Sequence, residues 1–197
     1  MTNATLLNQA LVRIDAANAE DPHQEIFEGK GYPKELLYAQ RMSVWLEKIE
    51  PNASETLKLA VRSQHIQRWK IPRNQYSMDK KGYKDWRTAC GKMHGDITGK
   101  ILQEVGYDPR TIQQVQSLLV KEDLKKNAEC QLLEDVICLV FLEFYFSDFA
   151  KQHDEEKLIG VIRKTWKKMS PRGHQAALGL SLPTPLRTLV EKALTQK

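Results

Sequence analysis

The sequence predicts an all-α protein: one compact helical domain over residues 1–197, built about a central buried helix. Three observations carry this. The run Gln131–Phe146, QLLEDVICLVFLEFYF, is almost wholly apolar, and from Val136 to Phe146 only Glu143 is polar. It is longer than a buried strand of about 4–8 residues and shorter than the roughly 20 apolar residues that cross a bilayer. Elsewhere apolar residues recur at helical spacing, and the breaks between them carry Gly, Pro and Ser/Thr/Asp signals that stop one helix and start the next. No strand alternation, internal repeat, low-complexity segment or linker interrupts the pattern.

Taken in order, Thr2 or Asn3 caps a first helix to about Ala19, with Leu6, Leu7, Ala10, Leu11 and Ile14 as its apolar stripe. Its polar end, Arg13, Asp15, Asn18, Glu20 and Asp21, reads either as a helix terminus followed by a solvated loop or, for Arg13, Asp15 and Asn18, as side chains reaching into a site. Residues 22–32 form a loop ending in GKGYP, whose glycines match no phosphate-binding loop. A second helix runs from Pro33 to about Ile49 on Leu37, Met42, Trp45 and Leu46, and Pro51-Asn52 closes it and caps the next. The third helix, 53–71, has core candidates Leu57, Ala60, Val61 and Ile66. Along it Arg62, His65, Arg68 and Trp69 fall at i, i+3, i+6 and i+7 and share one face. A fourth helix, 82–105, places His94 near the inward side that holds Trp86 and Cys90. Gly106-Tyr107-Asp108-Pro109 stops it and starts a fifth, 109–120, which ends in the polar cluster Lys121-Glu122-Asp123. After the central helix, Asp154, Glu155 and Glu156 fill the first turn of a helix over 154–168, so His153-Asp154 reads as a cap. Ser170-Pro171 and Thr184-Pro185 open the last two, 171–180 and 185–195.

Hydrophobic residues at 41% and charged residues at 28% are an ordinary globular balance. A net charge of +5 and a pI near 9.0 fit a phosphate-bearing ligand or nucleic-acid contact as well as a plain charged surface. Three cysteines without a CxxC argue against a disulfide framework and a zinc ribbon. The N-terminal stretch has neither a secretory nor a transit pattern, so a reduced, cytoplasmic setting without a membrane partner is expected.

A carboxylate carried into an apolar interior must find a cation, a metal or a donor, or take up a proton. Glu134, Asp135 and Glu143 therefore need partners, and His65, His94, the arginines near His65 or a metal ion between them are the candidates. Arg62 and Arg68 flanking His65 beside Trp69 form an anion site, or else surface arginines around a satisfied histidine. The segment IRKTWKKM is a basic patch with one aromatic, suited to a phosphate backbone.

The stretches RIDAANAEDP, QHIQRWKIPR, QLLEDVICLVFLEFY and HDEEKLIGVIRKTWKKMSPRGH closely resemble the domain of unknown function 4202 family over nearly the whole chain. In their order, Arg41, His65, His94, Lys121-Glu122 and Glu134-Asp135 are also similar to the HD superfamily of all-helical, metal-dependent phosphohydrolases. That likeness implies an HD-like bundle with a core at about 33–150 and C-terminal helices 153–197 packed on it. The chain departs from the HD pattern at three places. Tyr38 stands where the first histidine precedes the arginine, the His-Asp pair becomes His65-Ile66, and Lys121 replaces a later histidine. These departures point away from a binuclear site. They leave a single ion held by His65, His94 and Asp135 with Glu134 or Glu122, a ligand set suited to manganese, iron, zinc or nickel.

The resemblance implies a metal-dependent phosphohydrolase acting on a nucleotide or other small phosphate ester. The metal would activate water, Glu134 would be a general base or a carboxylate orienting a histidine, and Arg62, Arg68 and Lys121 would neutralise growing charge. Arg41, Arg62, Arg68 and Trp69 would hold the phosphorylated ligand. One alternative is a non-catalytic phosphate-ligand or RNA-binding module on a degenerate HD scaffold, using the basic tail Arg163–Arg172. Another is a structural protein whose polar residues only knit the core.

Overall fold

The computed structural model describes residues 3–122, 124 and 126–195, with side chains from residue 6 onward. The expected cap Thr2, the side chain of Asn3 and the acidic Asp123 lie outside the described residues. The protein is all-α, as the periodicity predicts, apart from one short hairpin. Two compact units are distinguished, Met1–Cys130 and Gln131–Lys197. Among the described residues no helix is long and apolar enough to cross a membrane.

The first unit holds α1 (Asn3–Ala19), the strands β1 (Gln24–Phe27) and β2 (Lys30–Pro33), α2 (Lys34–Ile49), α3 (Glu55–Ser63), α4 (Lys80–Val105) and α5 (Pro109–Val120). Helix α1 packs on α2, α3 and α4, while α3 lies between α2 and α5. Ile14, Met42, Leu59, Ile66, Leu102 and Val115 are fully buried between them, each worth about 1.5–3 kcal/mol of burial. Helix α5 lies close on α4 because Gly99 has no side chain: a Cβ there would sit 2.5 Å from Gln116 Nε2. Gln116 instead donates to the Gly95 carbonyl at 3.1 Å.

The hairpin replaces the loop expected at 22–32. Its strands pair antiparallel, with Gln24 opposite Pro33 and Phe27 opposite Lys30. Its tip, Glu28-Gly29, has φ of 51° and 75° at the two central residues. Two left-handed residues match the strands' twist, and Glu-Gly is a weak form of the usual Asn-Gly signal. The strands are four residues each, too short for alternation to show.

The third helix is also shorter than expected. It starts after Ser54, not Pro51-Asn52, with Ser54 Oγ accepting from Leu57 N–H at 3.1 Å. It stops at Ser63, so Arg62, His65, Arg68 and Trp69 do not share a helix face. Gln67 turns left-handed (φ 50°), and a single 3₁₀ turn, Arg68–Lys70, follows. Asn18, at the end of α1, imposes the stop: its buried Oδ1 accepts the Gln67 N–H at 3.1 Å. The Gln67 side chain donates to Ala17 O at 3.4 Å and Glu20 at 3.2 Å. The polar end of α1 thus pins a neighbouring turn.

α6 (Ala128–Val140) runs from the end of the first unit into the second, where α7 (Phe146–Ala150), α8 (Glu155–Trp166), α9 (Pro171–Leu178) and α10 (Thr184–Thr195) follow. The central apolar run is not one regular helix. A π turn, Phe141–Tyr145, separates α6 from α7, and Phe146 N–H reaches back to Phe141 O. One inserted residue rotates the apolar stripe by about 100°. Glu143 sits in that turn and is exposed. It is therefore not the buried carboxylate its place in the run suggested. Asp154 Oδ1 caps α8 by accepting Lys157 N–H at 2.8 Å, as the sequence predicts.

Candidate functional site

The candidate site lies in the first unit, where the start of α2, the turn after α3 and the middle of α4 bring Glu35, His65 and His94 near one another. Glu35 is in the first turn of α2 and is 8% exposed. Its backbone N–H is held by Asp21 Oδ2 at 3.0 Å. Asp21 is itself buried, and its Oδ1 accepts from His23 N–H at 2.9 Å. Pro33, at the cap position, offers no side-chain acceptor, so Asp21 closes the helix start from across the hairpin. His65 Nδ1 lies 3.2 Å from Glu35 Oε2. Tyr38, one turn beyond Glu35, stacks on the His65 ring at 4.0 Å and 9°. His94 lies on the other side, its ring centre 6.0 Å from that of His65.

The electrostatics are set by burial among cations. Burial pushes the Glu35 carboxyl up to about 7, with Arg68 opposing. Burial, then the charges of Arg68, Lys121, Arg87 and Lys34, hold His65 well below the usual histidine value. His94 is lowered by burial, then by His65 and Arg68. Burial pushes the Cys90 thiol up, and Glu35 adds to the rise. Near pH 7 the site thus holds neutral imidazoles, a carboxyl shared between its two forms, the four cations acting on His65 and the Asp21 carboxyl beside Glu35. Such a constellation attracts an anion and moves a proton. Both ring nitrogens of the buried His94 lack a hydrogen-bond partner among the described residues.

The expected site residues are distributed more widely. His65, His94, Arg68 and Lys121 belong to this constellation. Arg62 forms a fork with Asp15, both bonds at 2.6 Å. Arg41 donates to Glu25 and lies 4.8 Å from the Phe27 ring centre, bracing the hairpin. Trp69 is half-buried in the 3₁₀ turn. Glu122 is exposed and accepts from Ser117 Oγ at 2.8 Å. In the second unit Glu134 is 3% exposed and Asp135 1%. Asp135 has a structural task. Its Oδ1 accepts from Ser170 N–H at 2.7 Å and from Gln131 Nε2 at 3.2 Å, and its Oδ2 accepts from Ser170 Oγ at 2.5 Å. Ser170 Oγ in turn accepts from Gly173 N–H at 3.2 Å, capping α9.

Among the described residues no three His, Cys, Asp or Glu side chains are grouped to hold an ion. His65 and His94 are neighbours, but Asp135 is engaged at α9 and Glu122 at Ser117.

Glu35, Arg87 and Lys34 are contributors that the sequence reading did not single out, and it named Asp21 only as part of the polar end of the first helix. Glu35 was within reach, because it precedes Tyr38, Met42 and Trp45 by 3, 7 and 10 residues, the spacing of one buried helix face. A carboxylate on that stripe is the same kind of signal as Glu134 and Asp135.

No curated protein and no solved structure matches the chain. A family model does match, over residues 8–190, and its description is a domain of unknown function, DUF4202. It covers nearly the whole chain, including every residue of the constellation just described, and the protein belongs to the DUF4202 family.

Proposed function

We propose that the first unit binds a small phosphorylated ligand, a nucleotide or other phosphate ester, beside His65, and that the Glu35–His65 pair moves the proton in its hydrolysis. The observation that carries this reading is a carboxyl pushed up to about 7 by burial, with Arg68 and Lys34 opposing and Asp21 adding to the rise, bonded to an imidazole that burial and four neighbouring cations hold neutral. A group with a pKa near the working pH serves well as both acid and base. Protonated Glu35 donates to a leaving oxygen, and ionised Glu35 takes a proton from attacking water. His65 orients the carboxyl through Nδ1, and Tyr38 holds the ring by stacking. Arg68, Arg87, Lys34 and Lys121 offset phosphate charge as it builds in the transition state. The likeness to the HD superfamily, which rests on the order of Arg41, His65, His94, Lys121-Glu122 and Glu134-Asp135 and departs from the pattern at Lys121, implies phosphohydrolysis as well.

The sign of the proton linkage gives the test. A bound phosphate adds negative charge beside Glu35 and His65, favours their protonated forms and draws protons from solution. Calorimetric titration with inorganic phosphate near pH 7, in two buffers of different ionisation enthalpy, is expected to show net proton uptake. Arg68→Ala should weaken that binding. Glu35→Gln should retain phosphate but lose turnover in a phosphate-ester screen. Phosphate that binds without uptake, or turnover that survives Glu35→Gln, would remove the acid–base role. Failure of both phosphate and phosphate esters to bind would remove the whole reading.

A further inference from the structure

We propose that the face formed by residues 68–87 binds single-stranded nucleic acid, with Tyr83 and Trp86 as its stacking platform. These residues carry seven of the chain's 30 Lys and Arg and two of its 25 Asp and Glu, a net of +5, which equals the net charge of the entire chain. The other 177 residues carry 23 charges of each sign. The segment is therefore one of the chain's two concentrations of positive charge, the other being the run that contains Arg163–Arg172.

Guanidinium groups and aromatic rings alternate along the face. Arg68 lies 4.4 Å from the Trp86 ring centre. Arg73 lies 5.9 Å from Trp86 and 5.9 Å from Tyr83, and Arg87 lies 5.9 Å from Tyr83. The two rings are 5.8 Å apart. The ladder is held in place by backbone carbonyls: Arg73 donates to Tyr76 O at 3.0 Å and Ser77 O at 2.8 Å, and Trp86 Nε1–H donates to Ile71 O at 2.8 Å. Among the described residues no carboxylate forms an ion pair with Arg68, Arg73, Lys80, Lys84 or Arg87. Their charge is available to phosphate oxygens. Tyr83 is 48% exposed, so its ring stands at the surface beside the guanidinium groups of Arg73 and Arg87.

Bases stack on aromatic and guanidinium planes while the backbone follows the cations, an arrangement indifferent to sequence. A duplex hides its base faces and cannot use the platform. The face shares Arg68 and Arg87 with the phosphate site but needs neither Glu35 nor His65. It also differs in place from the basic run Arg163–Arg172.

The test is fluorescence anisotropy of the full chain with labelled oligouridine and oligothymidine of about 10 nucleotides, inside the roughly 4–16 nucleotides that such surfaces occupy. Both strands are expected to bind. If about 5 phosphates are neutralised, affinity should fall about 100-fold between 50 and 200 mM salt. Tyr83→Ala should weaken binding by about 10-fold, the effect of one lost stacked base. Lys80→Glu with Lys84→Glu should weaken it further and flatten the salt dependence. Binding of inorganic phosphate should be unchanged in these variants, which separates this face from the acid–base site and shows that they fold. The proposal is overturned if the wild type does not bind, if duplex binds as tightly as single strands, or if Lys164→Glu with Lys167→Glu abolishes binding while the Tyr83 and Lys84 changes do not.

Discussion

Glu35→Gln is expected to stabilise the protein at alkaline pH. The folded-state value of Glu35 lies above its ordinary 4.5, at about 7. The folded protein therefore holds a proton that the unfolded chain releases between those values. The stability linked to that proton is complete below about pH 4.5 and is lost as pH rises through about 7. At about 1.4 kcal/mol per pH unit, the interval amounts to about 3 kcal/mol near pH 8. Glutamine keeps the shape of the side chain, can still bond to His65 Nδ1 and carries no charge to desolvate. Thermal unfolding of wild type and variant should therefore coincide near pH 5 and separate toward pH 8, by roughly 10 °C for a chain of this size. His65 and His94 act in the opposite sense. Their folded values lie below 6.5, so both proteins lose stability as pH falls through that value, and the difference between the curves isolates Glu35. Parallel melting curves from about pH 5 to about pH 9 would refute the placement of Glu35 in a desolvated site.

Further expectations concern other parts of the chain. His94→Leu should be more stable relative to wild type near pH 5 than near pH 8, because the wild-type imidazole takes up its proton only on unfolding; equal ratios in denaturant titrations would mean that His94 is solvated. Asp135→Ala should cost about 2–4 kcal/mol, since it leaves buried donors at Ser170 unmet. Gly173→Ala should cost about 1–3 kcal/mol, because its Cβ would meet Asp135 Oδ1 at 2.7 Å; urea unfolding measures both, and a neutral Gly173→Ala would show that Asp135 can move. A double-mutant cycle of Arg62→Ala and Asp15→Ala should return a coupling of about 1–2 kcal/mol for the fork between α3 and α1. Phosphate binding should survive exhaustive dialysis against a chelator. A near-stoichiometric transition metal that disappears in His94→Ala would instead restore the metal-centred expectation.

Local chemistry was legible along the chain. Asp108-Pro109, Asp154, Ser170-Pro171 and Gly106 stand at helix ends as expected, because a cap is decided by atoms within about three residues. The inward placement of His94 followed from periodicity, and His94 is 1% exposed. Three readings needed distant residues. Nothing between 53 and 71 announces a helix stop, because Asn18 supplies it from 49 residues away. The hairpin's strands are too short to show their period. The acidic pair at the start of the apolar run has the local look of a site, yet Asp135 is committed to Ser170, 35 residues away.

Composition and spacing by themselves determined that this chain would be helical, where most helices begin and end, which side chains line the core, and that its charge is basic. Tertiary structure decided which polar side chains meet. Glu35 and His65 are 30 residues apart, on separate elements, and nothing local to either announces the other. Helix ends are satisfied by bonds to adjacent residues, so their chemistry is written locally. A carboxyl becomes an acid near neutral pH only when distant parts of the chain remove its water and surround it with charge, which is a property of the folded arrangement.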